Sequence, residues 1–589
     1  MSTATSPRQS TQLEQTSGNF ALIDTLRRWG ITFYSGVNGG GLIHVAKHLQ
    51  PFFGLDQAGD GIPRMHTMSE YVAGFVPLGY FLASGKVAGC LTTTGAATKL
   101  GSSGITDAKL HNIPAVYIIA LNSTHSIGYS PLQDVSEHGM NVIPQLKAEL
   151  GEACFVIDDI EKLGEQLERA QAILNESKPI AIAFHPDVLS RNIEVDVPRR
   201  ERPHTFDQID VDRFVNEFPA IAAGRRVVIY AGAEASRAPG ITKLTTELSE
   251  LLQAPTVWSV NGANAISREN PYAFGYISFG GNDEAMKLWR GLTSNDVVIT
   301  LGFDSGEYSL NLGSIPAGHV WHFTCWNEPY GHKDGDFRHR VNGDYRVVRG
   351  DIECTLREVL PRLRGKITDR PHVAAPRDLN TRTISRQVRE GCVDAYDFYL
   401  QLHRSWRPNS IGFDDVCTAY KDRQYVAQRP HPSIPFHTVH DGSAMGGAFG
   451  LGVGAKAADP SLHTFVFSGD GCWRLFGGAL AEAANLGMNL FIINNERYAI
   501  VDKGLEVVIP DVEKERYHGV LPNIDFVAAA KAHGWDGYRL KADLSNLDEI
   551  MDACYAGGSR SILVDVPIDA DQILGLNPRL YNLTTDTYL

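Results

Sequence analysis

Hydrophobic residues in this chain fall in short continuous runs separated by longer amphipathic segments. Such runs, bounded by turn residues, predict buried strands of a parallel sheet, and the segments between them predict helices on both faces. The pattern therefore predicts an α/β protein built from doubly wound parallel sheets. The runs are residues 87–95, 115–121, 179–184, 225–232, 254–260, 296–302, 319–325 and 561–569.

Two polar segments that contain proline, residues 196–206 and 366–380, divide this pattern into three parts. A chain of 589 residues is long enough for three to four domains of ordinary size. We therefore predict three doubly wound domains of similar size. The predicted boundaries are a flexible amino-terminal tail at 1–18, domains at 19–195, 206–365 and 381–575, and a carboxy-terminal tail at 576–589.

The third domain contains a strand–helix–strand unit with polar residues at both strand ends. Residues 464–467 and 490–493 predict buried strands, and the alanine-rich residues 479–485 predict the helix between them. Gly-Asp-Gly (469–471) follows the first strand and Asn495 follows the second. The carboxyl ends of parallel strands meet at one edge of a sheet. A carboxylate, an amide and a loop carbonyl at that edge suit Mg²⁺.

Composition and charge argue against several classes of protein, namely nucleic-acid-binding, secreted and membrane proteins. The net charge of −14 argues against nucleic acid as a partner, because phosphate backbones require a basic face. Eight scattered cysteines without a CxxC pair are typical of a reducing compartment. No segment has the roughly 18 apolar residues of a membrane span, and the polar amino terminus lacks the apolar part of a signal peptide. We expect a cytoplasmic protein.

Gly-Asp-Gly followed by Asn494-Asn495 resembles the diphosphate-and-metal motif of thiamine diphosphate enzymes. The resemblance implies that the side chains of Asp470 and Asn495 and the main-chain carbonyl of Arg497 bind Mg²⁺. The intervening segment is slightly shorter than in the family, and Arg497 replaces the usual glycine. The resemblance also implies that this part of the chain binds the cofactor through Gly469, Gly471, Cys472 and Tyr498.

The first domain carries a second resemblance. Residues 69–116 are similar, without gaps, to acetolactate synthases and pyruvate decarboxylases, and Glu70, Gly85-Lys86 and Thr94-Gly95 match. Apolar neighbours disfavour a surface position for Glu70, and a buried glutamate costs free energy unless it has a partner. The resemblance implies that its partner is N1′ of the cofactor aminopyrimidine and that Glu70 promotes loss of the cofactor C2 proton.

A third match places more residues at the cofactor. Residues 441–460 resemble the family segment whose hydrophobic residue supports the bent cofactor, and Met445 takes that position. Asn38 stands where many relatives have proline, and residues 414–422 lack the usual Gly-x-His or Gly-x-Gln. These departures leave the substrate open. The further residues assigned to cofactor binding are Asn38, Gly39, Thr94, Thr418 and Ser443.

The family resemblance implies how the domains share the work. The first domain is expected to bind the pyrimidine, the middle domain to be Rossmann-like, and the third to bind the diphosphate. The cofactor is expected between two chains, so we predict a homodimer or a homotetramer with shared sites. Residues 275–285 resemble a flavin-contacting loop only loosely, and binding of FAD stays open.

The resemblance implies an enzyme that decarboxylates a 2-oxo acid, and three outcomes stay open. Residues 127–135 resemble an acetolactate synthase loop, with Gln133 as a catalytic glutamine, and no two histidines are adjacent as in pyruvate decarboxylases. We therefore predict ligation to a second carbonyl substrate. The alternatives are a decarboxylase that releases an aldehyde and an inactive relative, against which Glu70, Asp470 and Asn495 argue. Histidines that could line the pocket are His66, His111, His125 and His440.

Overall fold

The computed structural model describes residues 16–580 except 58, 278, 334–335, 368–370 and 372. Within these residues the chain forms three sheets of six or seven strands in which all neighbouring strands are parallel. Helices cover both faces of the sheets. The predicted fold class, with three doubly wound parallel-sheet domains, is confirmed.

The first sheet has the order β3-β4-β2-β5-β6-β8-β7, and β1 pairs with β9 in a separate antiparallel ribbon. The strands of the first domain are β1 (Thr16–Ser17), β2 (Phe33–Gly36), β3 (Gln50–Pro51), β4 (Arg64–Thr67), β5 (Gly89–Thr92), β6 (Val116–Ala120), β7 (Cys154–Ile157), β8 (Ile180–Phe184) and β9 (Asn192–Ile193). The helices are α1 (Gly18–Arg28), α2 (Ile43–Ala46), α3 (Glu70–Ser84), α4 (Ala96–Leu110), α5 (Val142–Leu150), α6 (Leu163–Asn175) and α7 (Pro186–Leu189).

The middle sheet has the order β12-β11-β10-β13-β14-β15. Its strands are β10 (Val227–Ala231), β11 (Thr256–Trp258), β12 (Ala273–Tyr276), β13 (Val297–Leu301), β14 (His319–Thr324) and β15 (Asp344–Arg349). The helices are α8 (Gln208–Ala222), α9 (Ile241–Leu252), α10 (Asp283–Arg290), α11 (Glu307–Leu310) and α12 (Ile352–Leu363).

The third sheet has the order β17-β16-β18-β19-β21-β20. Its strands are β16 (Ser410–Asp414), β17 (Phe436–His437), β18 (His463–Gly469), β19 (Met488–Asn494), β20 (Asp536–Arg539) and β21 (Ile562–Pro567). The helices are α13 (Ala395–Ser405), α14 (Ala419–Ala427), α15 (Gly447–Ala458), α16 (Asp470–Phe476), α17 (Ala499–Val508), α18 (Phe526–Ala532) and α19 (Leu547–Tyr555).

Each sheet lies inside one predicted domain range, and the exact boundaries stay predictions. The predicted amino-terminal tail extends too far, because Thr16 pairs with Ile193 and α1 begins at Gly18. At the other end, the amide of Gly280 donates to Leu576 O at 2.7 Å, so the predicted carboxy-terminal tail starts against the middle domain. The rest of both tails, residues 1–15 and 581–589, lies outside the described residues.

The helix predicted over residues 479–485 is wrong. The helix of this unit is α16, and short 3₁₀ turns at Gly477–Ala479 and Ala481–Ala483 follow it. Glycine at 477 and 478 disfavours a continuous helix. Carbonyls of the alanine-rich segment also bind distant groups, since Leu480 O accepts from the Trp535 indole and Ala483 O from the Ser561 hydroxyl, both at 2.7 Å.

The first and third domains share one hydrophobic core, in which α3 crosses α15. Glycines permit the close approach: a Cβ on Gly79 would overlap Leu451 O, and one on Gly454 would overlap Val76 O. The crossing brings the amino-terminal part of α3 near the segment that precedes α15.

Among the described residues, no helix has the length and apolar character needed to cross a membrane.

Candidate active site

The strand order of the third sheet reverses between β16 and β18, which is where doubly wound sheets open a ligand crevice. Gly469 ends β18 on one side, and Cys417 and Thr418 follow β16 on the other. A Cβ on Gly469 would lie 3.2 Å from Cys417 Cβ, so the two strand ends are in contact. The hydroxyl oxygen of Thr418 is buried and has no hydrogen-bond partner. A buried hydroxyl without a partner indicates a position for a polar ligand.

The three predicted metal-binding residues come together at the next strand ends. Asp470 is buried, and its carboxylate accepts from the amides of Gly471 at 3.0 Å and Glu496 at 2.6 Å. Asn495 Oδ1 accepts from the amide of Arg497 at 3.0 Å. Burial raises the pKa of Asp470 to about 6, against the lowering effect of these hydrogen bonds. A bound cation would stabilise the ionised carboxylate at this buried position.

This donor set is oxygen-based, as Mg²⁺ requires. Among residues 16–580 as described, no three His, Cys, Asp or Glu side chains group as metal ligands. The predicted site instead combines one carboxylate with an amide oxygen and a main-chain carbonyl. The residues present therefore fit Mg²⁺ and do not fit a thiolate or imidazole site for zinc.

Tyr498 and Cys472 line the same strand end in different ways. The Tyr498 ring covers Gly471, because a Cβ on that glycine would overlap the ring. Cys472 is buried and its thiol donates to Val416 O at 3.4 Å. Burial raises the pKa of Cys472 well above its ordinary value, so the thiol stays neutral. Cys472 packs the site and is no nucleophile.

The segment before α15 carries Ser443 and Met445. Ser443 has a positive φ of 51° and is exposed, and its amide and hydroxyl donate to His440 O at 3.1 and 3.0 Å. Met445 is half-buried, and the next amide, that of Gly446, donates to the carboxylate of Asp415 at 2.9 Å. Hydrogen bonds on both sides of Met445 thus fix this segment.

Asp415 is a site residue that the sequence pattern did not single out. It is buried directly after β16, and its carboxylate accepts from Gly446 N at 2.9 Å, Ser468 Oγ at 2.6 Å and Val416 N at 2.9 Å. These partners precede α15, end β18 and follow β16. One carboxylate therefore connects the three segments that carry Met445, Asp470 and Thr418.

The first sheet has its own reversal, between β2 and β5. Asn38 follows β2, is exposed, and accepts from the amide of Gly39 at 2.9 Å. A Cβ on Gly39 would overlap Thr93, so the glycine lets this loop lie against the end of β5. Thr94 is buried, and the Thr93 hydroxyl is buried without a partner. This crevice also presents an unpaired polar atom.

Glu70 and Gln133 lie at the same edge of the first sheet, after β4 and β6. Glu70 is the first residue of α3 and is half-buried, where the sequence favoured full burial. Its carboxylate has no hydrogen bond or ion pair with any residue that the structure describes. Gln133 is exposed with a φ of 58°, and its Cβ would be 2.6 Å from a Cβ on Gly95. Gln133 therefore contacts the loop that starts α4.

Contacts within one chain connect the edges of the first and third sheets. The hydroxyl of Tyr71, the residue after Glu70, donates to Met445 O. The amide of Gly442 donates to Asp107 in α4 at 2.9 Å. The helix that carries Glu70 and the segment that carries Met445 are thus neighbours in a single chain. Sharing of the site between two chains stays a prediction.

The four histidines that could line a pocket differ in position. His66, His111 and His440 are buried, whereas His125 is exposed. His111 Nε2 accepts from the amide of Asp441 at 3.1 Å, which joins α4 to the segment before Ser443. Burial lowers the pKa of His440 to about 4, so its imidazole is neutral at pH 7. His111 and His440 neighbour this segment, and His125 does not.

Comparison with protein families agrees with this arrangement. Residues 16–142 match the N-terminal TPP binding domain of thiamine pyrophosphate enzymes, residues 218–320 match their central domain, and residues 422–566 match their C-terminal TPP binding domain. The chain belongs to the thiamine diphosphate-dependent enzymes. The matches follow the order of the three sheets, and the two TPP binding domains contain Glu70 and Asp470.

Several relatives of this thiamine diphosphate enzyme are similar over most of their length. The chain is 25% identical over 606 residues to an acetolactate synthase of Mycobacterium avium, covering 95% of this chain and 88% of that protein. It is 23% identical over 509 residues to the large subunit of acetolactate synthase isozyme 1 of Escherichia coli, covering 85% of each. It is 25% identical over 561 residues to a probable 2-ketoarginine decarboxylase of Pseudomonas aeruginosa, covering 93% of each. The enzyme is therefore of the acetolactate synthase type.

Proposed function

We propose that this enzyme decarboxylates a 2-oxo acid and joins the remaining carbon unit to a second carbonyl compound. Thiamine diphosphate, when bound, supplies the electron sink for this chemistry. The observation that carries the proposal is that the first and third sheets each present an unpaired polar group at their carboxyl edge. These groups are the Glu70 carboxylate in the first domain and the Thr418 hydroxyl in the third.

The protein side chains have separate tasks in this proposal. Asp470, Asn495 and the carbonyl of Arg497 would hold Mg²⁺ and through it the diphosphate. Met445 would support the cofactor from below, because Asp415 fixes the following residue. Glu70 would exchange a proton with N1′ of the aminopyrimidine, which makes it a general acid–base group.

Two observations favour ligation over release of an aldehyde. Gln133 contacts Gly95 at the edge of the first sheet. In this proposal its side-chain amide would bind the second substrate there. No adjacent histidine pair is present to protonate the intermediate carbon. A second carbonyl compound that is bound in the correct orientation reacts faster with the intermediate, because binding replaces a bimolecular encounter. The 2-ketoarginine decarboxylase among the relatives supports the alternative, aldehyde release.

The proposal includes no flavin, because the middle domain does not fit one. Its sheet order reverses between β10 and β13, where a dinucleotide would bind. There the carboxylate of Asp304 accepts from the amide of Ala233 at 3.0 and 3.1 Å and from the Ser259 hydroxyl. The Ala233 amide, which would otherwise bind a phosphate, thus already donates to a protein carboxylate. The negative charge of Asp304 would also repel a phosphate group.

The loop that resembles a flavin contact has another use in the structure. Asn282 Oδ1 accepts from the amide of Tyr276 at 3.0 Å, and Asn282 Nδ2 donates to Tyr425 O at 3.0 Å. The loop therefore packs against α14 of the third domain. We expect purified protein to lack flavin absorbance near 450 nm, and a yellow protein would contradict this point.

A product panel tests the proposed reaction. Purified enzyme with thiamine diphosphate and Mg²⁺ is incubated with pyruvate, aromatic and basic 2-oxo acids, singly and in pairs, and products are identified by mass spectrometry. We expect 2-hydroxyketones or acetolactate-type acids together with CO₂. If aldehyde accounts for nearly all CO₂ released in every mixture, the enzyme is a decarboxylase. If no acid releases CO₂, the proposal fails.

A further inference from the structure

A cavity of about 210 Å³ lies beside β14 and β15 of the middle domain. Residues of the two strands form one wall, and residues from the segment between the strands form the other. None of the residues assigned to the cofactor or the metal lines this cavity, and neither do Ala233 and Asp304 at the reversal of the middle sheet. The cavity is therefore a separate candidate site, and it is independent of the proposed reaction.

Two histidines line the cavity with ring nitrogens that lack a partner. Nε2 of His322 and Nε2 of His332 are both buried and have no hydrogen bond within the part of the chain that the structure describes. His322 is only 1% exposed, and the centres of the two rings lie 5.8 Å apart. Because a buried polar atom without a partner costs free energy, two such atoms at one cavity indicate a polar ligand.

The protonation of the two rings decides what they offer to a ligand. Burial lowers the pKa of His322 to about 3 and that of His332 to about 4, and the charge of Arg349 contributes to both shifts, so both rings are neutral at pH 7. The Tyr345 hydroxyl lies 2.8 Å from His322 Nδ1, and burial raises the pKa of Tyr345. The hydroxyl therefore keeps its proton and donates it to Nδ1, which leaves the ring proton of His322 on Nε2. His322 thus presents an N–H group to the cavity, and His332 can adopt the same tautomer.

Arg349 brings a positive charge to the same cavity. Its Nη1 donates to the neutral carbonyl of Trp326 at 3.1 Å, and among the described residues the guanidinium forms no ion pair with a carboxylate. The other cation of the lining, Arg338, lies 3.8 Å from the carboxylate of Asp336. Glu328 adds a second, exposed carboxylate. Two cations and two carboxylates thus line the cavity, which disfavours an anion with several charges.

We propose that this cavity binds a small organic monocarboxylate, held by Arg349 and by the Nε2–H groups of His322 and His332. A planar guanidinium matches the two oxygens of a carboxylate, and neutral imidazole groups add hydrogen bonds without adding charge. The volume lies below the roughly 300 Å³ of pockets for drug-sized ligands, so the ligand has only a short apolar part. That part would lie against Trp326 and Val347.

A ligand-observed NMR titration of the holoenzyme tests this site. Protein saturated with thiamine diphosphate and Mg²⁺ is titrated with propionate, with the uncharged propionamide and with inorganic phosphate. Arg349→Gln removes the guanidinium of an exposed side chain, and His332→Phe replaces a half-buried ring by one of similar size. The matched control is Arg290→Gln, which removes an exposed arginine of the same domain outside the cavity.

We expect propionate to bind about tenfold more weakly to Arg349→Gln and to His332→Phe, and within about twofold of the unmodified enzyme to Arg290→Gln. Propionate bound at the candidate active site would respond to neither of the first two variants. The proposal is overturned if propionate does not bind at millimolar concentration or if all four proteins bind it equally. Phosphate or propionamide that binds as tightly as propionate overturns the choice of a monocarboxylate.

Discussion

Asp415 shows how one buried side chain can organise a cofactor site. Its carboxylate accepts from Gly446, Ser468 and Val416, which lie before α15, near the end of β18 and after β16. A carboxylate that accepts several hydrogen bonds holds its donors more firmly than a neutral group. The position of Met445 relative to Asp470 therefore depends on Asp415.

Replacement of Asp415 by asparagine tests this dependence. Asn keeps one acceptor oxygen and loses the charge, so we expect affinity for thiamine diphosphate to fall about tenfold, or about 1.4 kcal/mol. The measurement is a cofactor titration followed by circular dichroism. The exposed Asp552→Asn in α19 serves as the control. Equal affinity in Asp415→Asn and unmodified protein would refute the positioning role.

Asp470 offers a second test at the scale of one residue. Without its carboxylate, the bridging cation between protein and diphosphate loses its only charged ligand in the predicted set. We expect the affinity of Asp470→Ala for the cofactor in the presence of Mg²⁺ to fall by about a hundredfold or more. A loss of this size is typical when a contact to a charged group is removed. Isothermal titration with and without EDTA measures this effect.

The Asp470 experiment has a clear contrary outcome. If Asp470→Ala binds cofactor as tightly in EDTA as unmodified protein does in Mg²⁺, the metal does not sit at this residue. Asp552→Ala again controls for the loss of one negative charge in the same domain.

At the scale of elements, α4 joins the first domain to the segment before Met445 through Asp107. Its carboxylate accepts from the Gly442 amide at 2.9 Å and lies 3.9 Å from His111 Nε2. Burial raises the pKa of Asp107 to about 8, and the nearby Asp441 and Asp415 add to the rise. In the unfolded chain this carboxyl ionises near pH 4.

This difference predicts a pH dependence. The folded protein holds a proton on Asp107 that the unfolded chain has lost, so this carboxyl stabilises the fold most at low pH. Its contribution disappears as the pH rises from about 4 to about 8. The side chain of Asp107→Asn stays neutral throughout. We therefore expect the midpoint of thermal unfolding of this variant, measured relative to that of the unmodified protein, to rise as the pH increases from 5 to 8.

Thermal scans of the cofactor-free proteins at half-unit pH steps measure the effect. The expected relative gain is on the order of a few degrees, and Asp552→Asn should show none. A midpoint difference that stays constant over pH 5–8 would mean that Asp107 does not titrate in this range.

Most strands that form continuous apolar runs could be predicted from the sequence, and strands rich in polar residues could not. All eight hydrophobic runs contain a strand, because central parallel strands are buried on both faces. Arg64–Thr67 and Asp344–Arg349 were missed since half of their residues or more are polar or charged. Asp536–Arg539 is an edge strand of the same character. An edge strand needs no continuous apolar run.

The candidate site residues that lie in short sequence motifs could be predicted from the sequence, and those that act through distant contacts could not. Asp470 and Asn495 stand in one short segment, and the structure joins their loops by a hydrogen bond at 2.6 Å. Asp415 acts on residues 31 and 53 positions away, and no local pattern marks such contacts. The 479–485 helix failed because carbonyl contacts to Trp535 and Ser561 overrode alanine propensity.

At the scale of the whole molecule, the open question is whether one site draws on two chains. Tyr71 and Met445 meet within one chain, whereas the family resemblance implies sharing. Mixing Glu70→Gln with Asp470→Ala protein distinguishes these arrangements. If sites are shared, half of the sites in each mixed dimer carry both native residues, and random exchange restores about a quarter of the activity.

The mixing experiment needs subunit exchange, which mass spectrometry of the intact assembly verifies. No recovery in verified mixed dimers would assign each site to a single chain. Sedimentation of the active enzyme as a monomer would lead to the same conclusion.

We expect Glu70 and the Asp470 loop to belong to a single thiamine diphosphate site. Exchange of the cofactor C2 proton for deuterium, followed by NMR after acid quench, tests this most directly. We predict that the enzyme accelerates exchange over free cofactor and that Glu70→Gln slows it by about a hundredfold or more while the cofactor remains bound. Equal exchange rates in Glu70→Gln and unmodified enzyme would contradict the claim.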